Sequence, residues 1–149
     1  MIVGIGTDLL EIERVRRILS EASGARFLER VLTPAERELA QGRAGRLAEF
    51  TAGRFAAKEA VAKAFGCGIG KQLSLQDIEV LPSRAGKPEC RISARSKERL
   101  YPLLGLPVPQ DAAVQGRKDT LVIHLSITHS DTAAMAYCII ERVDGTRHS

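Results

Sequence analysis

The chain has 149 residues, 44% of them apolar and 27% charged, with a formal net charge of +4 at pH 7. That length makes one ordinary domain able to bury a core; its charge content, with no apolar run near the ~20 residues of a bilayer span, excludes a membrane class. The excess of positive charge suits an anionic partner, but no Trp and only 4% aromatic residues leave few platforms for stacking bases, so acidic proteins and polyphosphate ligands stay open beside nucleic acid.

The opening stretch MIVGIGTDLLEIERV lacks a basic start, and Asp8, Glu11 and Glu13 interrupt its apolar residues. It is therefore not read as a signal peptide. Met1 to Asp8 reads as a short strand ending in a polar turn. From Glu11, Ile12, Val15, Ile18, Leu19 and Ala22 recur at helical spacing, with Arg14 and Arg17 on an exposed face. Thr33-Pro34-Ala35-Glu36 starts a helix: Thr as N-cap, Pro at the first helical position and Glu at the third as a capping box, running towards Gly42.

FTAGRFAAKEAVAKAFG, Phe50 to Gly66, predicts an Ala-rich helix closed by Gly66. At ~100° per residue Glu59 and Lys63 share one face, while Arg54 and Lys58 share another and are read as the solvated charges. Glu59 and Lys63 form either an ordinary i,i+4 pair or a placed pair. The following GCGIGKQLS is glycine-rich, yet Phe65 stands where a phosphate-binding loop of the Walker type needs its first glycine, and Gln72 replaces Ser or Thr.

DIEVLPSRAGKPECRIS predicts two strands around a turn, and Ala94 to Leu100 a short helix ending before Pro102. The Pro- and Gly-rich stretch from Tyr101 to Thr120 is an irregular connection. LVIHLSITH and AAMAYCIIE are strands joined at His129 to Thr132, with Leu121, Ile123, Leu125 and Ile127 facing one way. The expectation is one α+β domain over 1–149, a mainly antiparallel sheet packed against the long Ala-rich helix. Cys67, Cys90 and Cys138 are too far apart for a Cys-x-x-Cys metal motif and form no disulfide framework, so the expected compartment is cytoplasmic.

Asp8, Glu59 and Lys63 together suit a hard cation holding a phosphate: Mg²⁺ takes few carboxylate oxygens and fills its shell from water and substrate phosphates. Lysine beside it neutralises charge growing on a phosphate oxygen. A nucleophilic triad of Ser126, His129 and Asp131 is disfavoured, because neighbours in one tight hairpin lack the geometry. A metal-dependent nuclease or phosphatase would want more ligands, and a basic nucleic-acid-binding module leaves Asp8 and Glu59 unexplained.

Taken in order, GIGTDLLEIERV, RFLERVLTPAE, FTAGRFAAKEAVAKAFGCGIGKQLSLQDIEV, GKPE and SITHSDTAAMAYCIIE resemble the short, single-domain 4′-phosphopantetheinyl transferases of the holo-acyl-carrier-protein synthase type. The resemblance runs from Met1 to about Glu141; the connection from Tyr101 to Thr120 is longer than that family's pattern. It implies transfer of phosphopantetheine from coenzyme A to a serine of apo acyl carrier protein, in fatty acid biosynthesis, with release of adenosine 3′,5′-bisphosphate. By it, Asp8 and Glu59 match the Mg²⁺ ligands, and Lys63 the catalytic lysine that contacts the coenzyme A phosphates. Glu59, or a water held by Mg²⁺ and a carboxylate, takes the serine proton. His129, Arg54, Gly66 and Gly68 belong to the coenzyme A surface, and Arg14, Arg26 and Arg30, with Arg17, to the carrier-docking face. The resemblance further implies a homotrimer with active sites between protomers.

Overall fold

In the structure, a computed structural model, residues 1–108 and 120–143 are described. Most of the long connection expected after Tyr101, its residues 109–119, and the tail from 144 lie outside them. The elements run β1 (Ile2–Glu11), α1 (Ile12–Ser20), α2 (Gly24–Val31), α3 (Pro34–Gln41), α4 (Leu47–Ala64), β2 (Ile78–Pro82), β3 (Pro88–Ile92), α5 (Ala94–Leu100), β4 (Thr120–His129) and β5 (Ala133–Val143). The class is α+β: β1, β5 and β4 form a three-stranded antiparallel sheet in that order, and β2 and β3 a separate antiparallel hairpin.

The capping box forms as the motif predicts. Thr33 Oγ1 accepts from the Glu36 backbone N–H, and Glu36 Oε2 accepts from the Thr33 backbone N–H at 2.7 Å. Gly66, at φ 78°, lets the chain leave α4 through a left-handed residue. β1 departs from expectation. It does not turn at Asp8 but pairs on through Glu11 opposite Ala133, because β5 is long enough to satisfy every rung. Asp8 therefore sits inside a strand, facing Ala136. Helix α2 has no counterpart among the sequence expectations, and Ala22 falls in the exposed turn before it.

α4 lies across one face of the three-stranded sheet. Its residues Ala56, Ala57, Ala60, Val61 and Ala64 are buried, with Leu125, Ala136, Cys138 and Ile140 from the sheet in the same core. Contact is backbone-close at β1. A Cβ built on Gly4 would fall 2.0 Å from Ala64 O, and one on Gly6 2.0 Å from Ala60 O. Glycine facing alanine is what draws β1 onto the helix. The opposite sheet face is exposed, with Ile5, Leu9, Met135 and Tyr137 forming an apolar area on β1 and β5 beside the polar His124, Ser126 and Thr128 of β4.

Candidate active site

The close approach of β1 to α4 creates the site. Asp8 points to the helix side of the sheet, and Lys63, in the last turn of α4, donates to Asp8 Oδ1 at 2.8 Å and to Thr7 O at 3.0 Å. Glu59, one turn earlier and half-buried, faces the same pair. Burial pushes the Glu59 carboxyl above its ordinary range; the nearby Asp8 charge adds to this, and Lys63 offsets part of it. The hydrogen bond to Asp8 holds the Lys63 ammonium above its usual value. Two carboxylates that repel, with one cation shared between them, form a site that favours added positive charge.

These residues fit a magnesium ion. No group of three or more potential protein ligands comes together among the described residues, whereas Mg²⁺ commonly takes one or two carboxylates and completes its shell from water and phosphate. Asp8 and Glu59 supply those two oxygen donors, without soft ligands. Gly66 and Gly68 follow directly, both at positive φ, with the N–H of Gly66 on Lys63 O at 2.9 Å and that of Gly68 on Ala62 O at 3.3 Å. The glycine loop thus adjoins the lysine.

Other expected site residues lie apart from this centre. His129 is exposed at the end of β4, on the helix side of the sheet, in register with Ala134 and so two rungs beyond the Asp8–Ala136 pair. Arg54 turns away to the β2–β3 hairpin, where its Nε donates to Val80 O at 2.9 Å and its guanidinium stacks 4.5 Å above the Phe50 ring. The structure does not bring it to Asp8, Glu59 and Lys63. Arg14 and Arg17 are exposed on α1, and Arg26 and Arg30 line a hollow of about 260 Å³ with Ile18, Ser23 and Phe27.

The reading of Arg54 and Lys58 as solvated charges is wrong. Arg54 is half-buried, and Lys58 is fully buried, bound to the equally buried Glu36 at 2.7 Å. Its remaining protons go to Val31 O at 2.6 Å and Leu75 O at 3.0 Å. Burial lowers the Lys58 pKa, with the Glu36 charge offsetting part of that cost. A signal was present in the sequence: between Leu47 and Ala64 small and apolar residues surround the helix on all sides, which marks a buried helix.

Comparison with known proteins agrees with this fold. Residues 4–115 match the model of the 4′-phosphopantetheinyl transferase superfamily. The chain is 42% identical to a holo-[acyl-carrier-protein] synthase of Geobacillus kaustophilus over 96% of its own length and 92% of the relative's. Among solved structures it is similar to a Bacillus anthracis holo-(acyl-carrier-protein) synthase in complex with CoA (3′,5′-ADP), with TM-score 0.72 and 40% identity over 96% of this chain and 99% of that one. The Neisseria meningitidis holo-[acyl-carrier-protein] synthase matches with TM-score 0.69 and 33% identity, over 95% and 99%.

Proposed function

The chain belongs to the 4′-phosphopantetheinyl transferase superfamily, and from that premise we propose that it is a holo-acyl-carrier-protein synthase, a single catalytic domain over 1–149 acting in the cytoplasm in fatty acid biosynthesis. It transfers 4′-phosphopantetheine from coenzyme A to a serine of apo acyl carrier protein. One observation carries the reading to the residues: Lys63 bridges to Asp8 with Glu59 alongside, in a chain 42% identical to named synthases.

In the reaction the serine Oγ bonds to the β-phosphorus of coenzyme A. The bond from that phosphorus to the bridging oxygen breaks, and adenosine 3′,5′-bisphosphate leaves with the electron pair. Asp8 and Glu59 would hold Mg²⁺, which when bound supplies charge neutralisation at the pyrophosphate. Lys63 carries a permanent positive charge to the oxygen on which negative charge grows. The Glu59 carboxylate, directly or through a water it holds, is the base suited to the serine proton. Gly66 and Gly68 admit coenzyme A close to the backbone beside Lys63, and His129 and Arg54 belong to its binding surface.

A homotrimer is supported by the exposed apolar sheet face around Ile5, Leu9, Met135 and Tyr137, and a site shared between protomers accounts for Arg54 lying away from its own Asp8. The basic residues Arg14, Arg17, Arg26 and Arg30 suit an acidic carrier. Incubation with apo carrier, coenzyme A and Mg²⁺, followed by mass spectrometry of the carrier, tests the function directly. Asp8→Asn and Glu59→Gln, both close in shape to the original residue, are expected to lose at least ~100-fold in kcat. Near-wild-type turnover of either at limiting Mg²⁺ removes that residue from the site.

A further inference from the structure

The end of α2 is held almost entirely by side chains. Helix α2 leaves its last carbonyls without intrahelical donors. Gln76 Nε2 shares its two protons among Glu29 O at 2.9 Å, Arg30 O at 3.1 Å and Leu32 O at 2.9 Å, and Arg37 Nη1 adds longer bonds to Glu29 O at 3.4 Å and Leu32 O at 3.3 Å. Lys58 Nζ takes Val31 O at 2.6 Å. The same ammonium holds Leu75 O, next to Gln76, and Glu36 Oε2. Glu36 in turn accepts from Thr33 N and Val80 N, each at 2.7 Å. Lys58 thus ties the end of α2, the start of α3 and the segment entering β2 to a single turn of α4, and the next residue on that turn is Glu59. Both members of the ion pair are wholly out of solvent, so no water substitutes for either.

We propose that Lys58 is a positioning residue for the transfer reaction: it sets α2, with Arg26 and Arg30, in register with the turn of α4 that carries Glu59, so that a docked carrier serine meets the reacting phosphate. The inference rests on the function proposed above, and on α2 being the carrier-docking helix. It concerns geometry alone, because Lys58 has no proton left to offer a substrate.

The decisive variant is the double substitution Lys58→Met with Glu36→Gln. Lys58→Met alone strands a buried carboxylate and lowers the melting temperature sharply. The double variant removes both charges, keeps one acceptor for Val80 N–H or Thr33 N–H while leaving Val31 O and Leu75 O without the lysine, and is expected to regain part of that temperature. Its KM for the carrier is expected to rise about three- to thirtyfold, with KM for coenzyme A within about twofold of wild type and faster amide exchange across 24–33. Gln76→Ala, which leaves the buried pair intact, is expected to move carrier KM and exchange in the same direction by a smaller factor. A stable double variant with wild-type carrier KM, or one whose two KM values rise together, overturns the proposal. Should the double variant not fold, an unchanged carrier KM in Gln76→Ala overturns it instead. Failure of the functional reading looks different: the wild type then transfers nothing, while exchange across α2 still responds to Lys58.

Discussion

Placing a methyl group on Gly6 should disable the site without touching any residue in it. The Cβ of alanine at position 6 would stand 2.0 Å from Ala60 O and 2.7 Å from Ala64 N. Ordinary contact begins near 3.4 Å, so β1 and α4 must separate by about 1.4 Å, and the obstructing atoms are helix backbone that cannot rotate aside. Overpacking of this kind costs about 1–3 kcal/mol or more. Asp8 lies two residues along the same strand face, and its 2.8 Å contact with Lys63 does not survive a displacement of that size. Misplacement by about 1 Å is worth ~10² in rate. Gly6→Ala is therefore expected to melt lower and to lose about 100-fold in kcat, even well below its melting point, read by mass spectrometry of the carrier. Gly42→Ala is the control: at φ −75° and with its nearest neighbour 3.9 Å from the added carbon, it should change neither quantity. A folded Gly6→Ala protein with wild-type kcat would refute the claim that this contact places Asp8.

Three more outcomes follow from the same structure. Arg14→Glu should raise carrier KM about tenfold while leaving coenzyme A KM nearly unchanged, and added salt should weaken the wild type more than the variant; equal effects on both substrates would remove Arg14 from the docking face. Ile5→Asp, placed on the exposed apolar sheet face, should reduce the light-scattering mass from three chains to one and abolish turnover; a fully active monomer would end the trimer reading. Burial pushes the Cys138 thiol up to about 12, whereas an unfolded thiol titrates near ~8.5, so between these values the unfolded chain loses a proton that the folded chain keeps. Stability should accordingly fall with rising pH, and in Cys138→Ala the slope of unfolding free energy should be shallower than wild type by about 1.4 kcal/mol per pH unit above pH 9; identical slopes would contradict burial of the thiol.

Most elements were legible because local chemistry and tertiary packing agree. The capping box at Thr33, Gly66 at the end of α4, the alternation along β4 and the stop before Pro102 each specify a boundary without help from elsewhere. Thr7-Asp8 reads locally as a turn, and only pairing with β5, some 125 residues away in sequence, carries the strand past Asp8. α2 leaves no local signal for a related reason: eight residues opening on Gly24, with no side-chain cap and carbonyls satisfied by Gln76, Arg37 and Lys58, make a helix that exists through its neighbours. Asp8, Glu59 and Lys63 were found by the family resemblance together with residue type; their meeting depends on Gly4 and Gly6, whose role appears only when the helix is set against the strand.

Lys58 and Lys63 show why spacing alone could not rank the charges of α4. Both are lysines bound to a carboxylate, at 2.7 and 2.8 Å, yet Lys58 and Glu36 are wholly buried while the Lys63 side chain is half-exposed. Breaking a buried pair by removing one partner costs about 3–5 kcal/mol, whereas Lys63 keeps its ammonium within reach of solvent beside an Asp8 carboxylate that is 15% exposed. A pyrophosphate arriving from solvent can therefore meet the Lys63 ammonium, and cannot draw Lys58 from its place. The division suits phosphoryl transfer, which needs one cation free to follow developing charge and a frame that stays still while it does. Four residues of one helix lie between the two lysines, and the burial that distinguishes them is set by α2, α3 and the segment before β2.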